Sequence, residues 1–326
     1  MTRSRLLAAA AVAALYALPA VLDTLRLRMA IEILYFGLFA VSFNLLFGYA
    51  GLLSFGHAAT FGVGGYTVGL LLERVASLPL ALVAAAAAGG AAGLVIGFFC
   101  VRLRGTYFAL LTLAFSQFLY AIALKWREVT RGDDGLTVAV PDLRLPGLGR
   151  LPLGEAWAFY LVALTVVLAC LALAWRFTRT PLGAAVVLMR ENDERAAFLG
   201  YDVFGTKLTV FAVAATLAAV AGGLFAGFQR LISPTSLDLA TSTEVVFMAV
   251  LGGTGAFLGP FLGAAVYLLL QDWLSKTTEN WPFFIGLLFV AMILFAHEGL
   301  VGLLRRGAGA WRRARGRPAR VEEEPA

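Results

Sequence analysis

Charge is scarce in this chain, and so are cysteine and histidine. Only 14% of its 326 residues are Asp, Glu, Lys or Arg, against 60% hydrophobic. A soluble core does not need that much apolar residue, so the soluble globular class is excluded. The two cysteines, Cys100 and Cys170, fall near the ends of apolar runs, which argues against a disulfide framework. His57 and His297 are the only histidines, and neither has cysteines at ligand spacing, so neither a metal site nor a cofactor is expected. A nucleotide motif is missing too. Gly200–Lys207 (GYDVFGTK) carries Thr and Lys in the wrong order for a phosphate loop and follows no strand pattern. Gly253-Thr254-Gly255 with Gly259 lacks the dinucleotide spacing. The chain therefore reads as no enzyme, and any ATP-derived energy has to come from a separate subunit.

Long apolar runs are what the chain has in their place, with a mean hydropathy of +0.85. Stretches of roughly 18 or more apolar residues recur, each enough to cross a ~30 Å hydrocarbon core as a helix. The alternating strands of a barrel are absent. The expected fold class is all-α, a polytopic membrane helical bundle. Candidate spans are 6–22, 29–47, 52–72, 79–101, 105–124, 156–176, 208–230, 243–257, 259–274 and 282–304. The first resembles a signal peptide in its basic start and apolar run, but an initial span explains it equally and is preferred.

Segment 243–274 decides the count. It is far longer than one span requires, and its middle, Gly252-Gly253-Thr254-Gly255-Ala256-Phe257-Leu258-Gly259-Pro260, suits no continuous helix. It is expected to fold back, either as two short spans or as a re-entrant hairpin packed inside protein. The chain then has about ten crossings, or eight to nine spans plus the hairpin, with both termini cytoplasmic. In that arrangement 16 of the 26 basic residues lie inside, seven of them in the tail after Leu304. This is the positive-inside bias, and the arginine-rich tail reads as an anchor at anionic membrane lipid rather than as a nucleic-acid site.

Two polar islands interrupt the spans. Residues 177–207 hold Arg179, Arg190, Glu191, Asp193, Glu194, Arg195, Asp202 and Lys207 and cannot lie in lipid. Thr180-Pro181 starts a helix there and Gly200 ends one. A short helix pair between spans points to a docking surface for a soluble partner. The other island, 125–155, falls outside and is nearly neutral, with a turn at Gly132-Asp133-Asp134-Gly135. It reads either as a contact or gate or as a solvated connector. The domain expectation is a permease domain over 1–304 and a charged, disordered cytoplasmic tail over 305–326.

Small residues at four-residue spacing (Gly89, Gly93 and Gly97; Gly65 and Gly69; Gly223 and Gly227; Gly259 and Gly263) indicate tight helix packing. A glycine-rich block at Gly48–His57 loosely resembles the later break, either as a repeat marking a pathway or as an independent turn. Polar residues inside spans are the pathway candidates: Asn44, Ser54, His57, Ser116, Gln117, Thr216 and Glu244. The plainer reading of His57 is a ring hydrogen-bonded to a neighbouring helix, and that of Glu244 is a solvated or capping residue at a span end.

Four blocks carry a family resemblance: GYAGLLSFGHAATFGVGGYTVGLLL at Gly48–Leu72; RLRGTYFALLTLAFSQFL followed by TRGDDGL within Arg102–Leu136; TPLGAAVVLMRENDERAAFLGYDVFGTKLTVFAVAATLAAVAGGLFAG at Thr180–Gly227; and VLGGTGAFLGPFLGA with PFFIGLLFVAMILFAHEGLVGLL within Val246–Leu304. In these the chain resembles the LivM-type permease subunits of bacterial branched-chain amino acid ABC importers. The resemblance implies a multi-pass inner-membrane subunit. It would pair with a sister permease as a heterodimer, with two cytoplasmic ATPases and with a periplasmic substrate-binding protein. It places ATPase coupling on Pro181–Gly200, with Pro181, Gly183, Arg190, Glu191, Asp193, Glu194 and Gly200 as the residues concerned. Two positions depart from the family pattern: Ala184, where a basic residue is common, and His297, where proline is common. Urea permeases are similar, so urea or short amides stand as an alternative cargo. A stand-alone carrier or channel predicts mid-membrane charges that the spans lack.

Overall fold

A computed structural model describes residues 2–145, 149–295 and 299–302; His297, Glu298 and the tail over 305–326 lie outside the described residues. Each of the ten apolar segments contains a helix among its described residues. In chain order the helices are α1 (Thr2–Ala17), α2 (Thr24–Asn44, continued by a wider π turn over Leu45–Tyr49), α3 (His57–Leu72), α4 (Leu78–Cys100), α5 (Thr106–Lys125), the short α6 (Arg127–Thr130), α7 (Ala156–Thr178), α8 (Pro181–Glu191), α9 (Asp193–Phe198), α10 (Val203–Gln229), α11 (Leu239–Gly252), α12 (Gly259–Thr277) and α13 (Trp281–Phe295). Among the described residues, five segments are long and apolar enough to cross a membrane by themselves: Thr24–Tyr49, Leu78–Cys100, Thr106–Lys125, Ala156–Thr178 and Val203–Gln229. The protein is a polytopic helical membrane protein.

The bundle is organised around α10, which packs on α3 and α4 through small residues. A β-carbon at Gly222 would overlap the carbonyl oxygen of Phe61 on α3. Without side chains in the way, backbones approach to van der Waals contact, which is how helices bind where no hydrophobic drive exists between them. From α4, Gly89 and Gly93 face Ala219 and Ala215 of α10. Gly89, Gly93 and Gly97 thus line the seam between α4 and α10, while Gly259 and Gly263 line a separate one between α11 and α12.

Segment 243–274 folds back as expected. Helix α11 ends at Gly252, Gly253 turns the chain with φ +97°, and α12 starts at Gly259. The arms lie so close that a β-carbon at Gly263 would strike the Met248 carbonyl. At a rise of ~1.5 Å per residue, the fourteen residues of α11 span only about 21 Å, short of a ~30 Å core.

Loop contacts sort into two faces. Arg131 reaches Glu73 at 3.5 Å, and Arg230 donates to the Gly154 carbonyl at 3.1 Å, tying the α3–α4, α5–α7 and α10–α11 connections together. At the other end Arg190, Gly48, Arg104, Asp193 and Thr254 are neighbours.

Two expectations are corrected. The all-α reading omits four short strands: β1 (Leu136–Thr137) pairs antiparallel with β4 (Leu231–Ile232), and β2 (Leu143–Leu145) with β3 (Gly149–Leu151). The 125–155 island is therefore partly folded, its β1 paired with the segment that follows α10. The span expected at 208–230 starts earlier. Asp202 caps α10 by accepting the Gly205 N–H at 3.0 Å, so Lys207 lies inside a helix instead of in the polar loop.

Candidate functional site

The helix pair α8–α9 forms for local reasons. The Thr180 hydroxyl accepts the Gly183 N–H at 3.2 Å while Pro181 occupies the first turn. Asn192 then caps α9, accepting the Arg195 N–H at 2.9 Å, and Gly200 leaves the pair with φ +87°. Ala185, Met189 and Ala196 form a small apolar core of their own, flanked by Leu188 and Val203.

Two polar attachments hold the pair to the bundle. The Lys207 ammonium on α10 donates to Asp193 Oδ2 at 2.5 Å, with the side chains only 8% and 12% exposed, and Arg104 Nε lies 3.3 Å from the same oxygen. The Arg190 guanidinium donates to the Gly48 carbonyl at 2.5 Å. Gly48 sits in the π turn at the end of α2, against the Asn44 side chain and the Thr254 carbonyl of the α11–α12 turn. Gly51, with φ +68°, lies under the Arg190 side chain. Both glycine-broken segments therefore meet beneath α8.

Of the residues assigned to coupling, Pro181, Arg190, Glu191, Glu194 and Gly200 are exposed. Asp193 and Gly183 face inward instead. Asp193 is the counter-charge of a buried lysine, and Gly183 packs on the Phe177 and Thr178 carbonyls. The same surface carries apolar residues that the polar reading passed over: Phe198 is 91% exposed and Leu199 64%, with Leu182, Val187 and Tyr201 also exposed. Their signal was present as large apolar residues inside a segment too polar for lipid. Ala184 is exposed among them.

The pathway candidates divide. His57 is buried, with Nε2 2.8 Å from the Ser42 hydroxyl and its ring stacked on Phe39. Ser42 gives its own proton to the Phe39 carbonyl at 2.6 Å, so His57 is the donor between them. Ser54 accepts the Gly56 N–H, Ser116 donates to the Leu237 carbonyl at 2.7 Å, and Thr216 donates to the Ala212 carbonyl. The Asn44 amide is buried without a partner. Gln117 and Glu244 line cavities. Gln117 donates to Asp238, the residue that caps α11, so Glu244 is not the cap. One cavity of about 690 Å³ lies between α2, α10, α11 and α12, and another of about 610 Å³ between α5, α11, α12 and α13; Glu244 borders both.

The chain is 32% identical over 308 residues to the High-affinity branched-chain amino acid transport system permease protein LivM of Escherichia coli (strain K12), covering 87% of this chain and 70% of that protein. It is 25% identical to the Probable branched-chain amino acid transport permease protein LivM of Methanocaldococcus jannaschii, over 79% of this chain and 84% of that one. It is also 31% identical to the Autoinducer 2 import system permease protein LsrC of Enterobacter sp. (strain 638), over 63% and 59%. A family profile described as branched-chain amino acid transport system / permease component matches residues 25–296. With its helical membrane fold and a match over most of its length, the chain belongs to this family of transport permease components.

Proposed function

We propose that this chain is one permease of an ATP-driven importer for branched-chain or other hydrophobic amino acids. It works beside a sister permease, two cytoplasmic ATPases and a periplasmic binding protein, in a bacterial inner membrane that it crosses about ten times with both termini inside. The observation that carries the reading is the α8–α9 platform, an exposed apolar surface tied to the ends of two spans. Apolar residues ringed by charge are what a soluble partner buries. Movement of α8 under ATPase closure acts on the break between α2 and α3 through Arg190 and Gly48, and on α10 through Asp193 and Lys207. Such a linkage transports only if the ATPase favours one of two arrangements over the other. The chain itself hydrolyses nothing and holds no cofactor in this reading; residues 1–304 are the permease domain and 305–326 a cytoplasmic tail.

Cargo is the less constrained part, since one relative is named for a different cargo, and urea or short amides stand as the alternative. The test is copurification with the neighbouring ATPases and ATP-driven uptake of labelled leucine in proteoliposomes. Phe198→Asp and Glu191→Lys are expected to abolish uptake and ATPase retention. Uptake by the chain alone, without ATPase, would establish the stand-alone carrier instead.

A further inference from the structure

The larger cavity opens on the face opposite α8–α9, where the start of α2 meets the ends of α10 and α12. Its wall runs from exposed Leu25 down to Phe36, about 16 Å at helical rise. Partway down stand Glu32 of α2 and Glu244 of α11, both half-buried. Among the described residues neither is in an ion pair, whereas Asp272 at the rim is neutralised by Lys276 at 2.6 Å. Tyr35 borders the same space and is 0% exposed; its hydroxyl makes no hydrogen bond of good geometry, with the Gln229 side chain lying beside both it and Glu32. Phe36 and Phe225, with ring centroids 6.3 Å apart, give an apolar wall, and Arg28 lies among the rim residues.

Half-buried carboxylates and an unpartnered buried hydroxyl are unfavourable left alone, and a ligand rich in N–H donors relieves both. The geometry points to this cavity as an outward-facing subsite for a small apolar amino acid. Glu32 holds its ammonium group, Glu244 and Tyr35 add acceptors along the cavity wall, Arg28 pairs with its carboxylate, and Phe36 and Phe225 cover its side chain. The assignment rests on the importer reading and adds to it the residues that meet the cargo first.

The test uses the full chain with its copurified partners, without binding protein, in phosphatidylcholine vesicles. Ser275→Cys places a thiol on the cavity lining, while the native Cys100 and Cys170 are buried. Its maleimide labelling is timed with L-leucine, with 3-methylbutylamine (the ammonium without the carboxylate) and with 4-methylpentanoate (the carboxylate without the ammonium). The first two are expected to slow labelling and the third is not. Adding Glu32→Gln, Glu244→Gln or Tyr35→Phe weakens the protection by about tenfold, the worth of one charge-assisted hydrogen bond. Retained ATP hydrolysis reports the fold of each variant, and Tyr35→Phe, which removes one oxygen, serves where a Gln variant misfolds. The subsite is overturned if no ligand protects, if the carboxylate analogue protects as well as the amine, or if protection survives all three substitutions. It is also overturned if protection needs only phosphatidylethanolamine, which would give the cavity to a lipid headgroup. Protection by leucine together with absent ATP-driven uptake would sink the importer reading and leave the cavity standing.

Discussion

Lys207→Met isolates the attachment of α9 to α10. Methionine keeps the length and apolar stem and removes only the charge. Asp193, 12% exposed, then loses its 2.5 Å partner and retains Arg104 Nε at 3.3 Å, on a side chain that is 66% exposed. Its other oxygen has no partner to begin with. Removing one member of a buried pair costs about 3–5 kcal/mol, and a solvent-screened ion pair offsets at most about 1 kcal/mol of that. Some 2–4 kcal/mol therefore falls on the docking of α9, a change of roughly 30- to 1000-fold in its opening equilibrium. Hydrogen exchange reads this at the amides of Ala196, Leu199, Gly200 and Tyr201, which donate to carbonyls between Asn192 and Ala197. The interior of α10, Ala214–Ala221, serves as the unperturbed control. Asp193→Asn combined with Lys207→Met leaves no uncompensated charge and is expected to recover at least about 1 kcal/mol relative to additivity. Unchanged exchange at those amides in the single variant, or strict additivity in the double, would refute the claim that this pair fastens the platform.

Three further outcomes follow from the packing. Gly222→Ala puts a methyl on the Phe61 carbonyl and should cost about 1–3 kcal/mol or more, seen as a lower unfolding temperature in detergent. Gly255→Ala, with no atom within 4 Å of its β-carbon, should leave that temperature unchanged. Arg190→Ala removes a hydrogen bond from a charged donor to the Gly48 carbonyl, worth about 1.5–3 kcal/mol; ATP hydrolysis should persist while uptake falls, and parallel loss of both would argue against a transmitting role. Phe198→Ala should weaken ATPase retention on an affinity column without moving the unfolding temperature, because the ring is 91% exposed.

Local chemistry made much of this legible in sequence. Thr180-Pro181 and Gly200 bracket a helix pair because capping and positive φ are properties of single residues. The fold-back at Gly253 followed from a glycine–proline cluster in a segment too long for one span. Lys207 was misplaced for the opposite reason: a lysine reads as loop until its counter-charge is known, and Asp193 sits in another helix. The strands over 136–151 escaped notice because they are two or three residues long and are held by pairing, not by pattern.

The apolar runs by themselves determined that the chain belongs in lipid, since burying so many polar backbone groups there leaves helices as the only solution for them. They also set the order of the helices and the polar platform between α7 and α10. Which polar groups meet was decided only by tertiary packing. Glu32 and Tyr35 on α2 border one cavity with Glu244 on α11, far away in the chain, and Arg190 finds Gly48 across the bundle. Periodicity reports which face of a helix is apolar, but a cavity or a carbonyl contact depends on the distance and angle between helices, and those are set by where small residues let backbones touch.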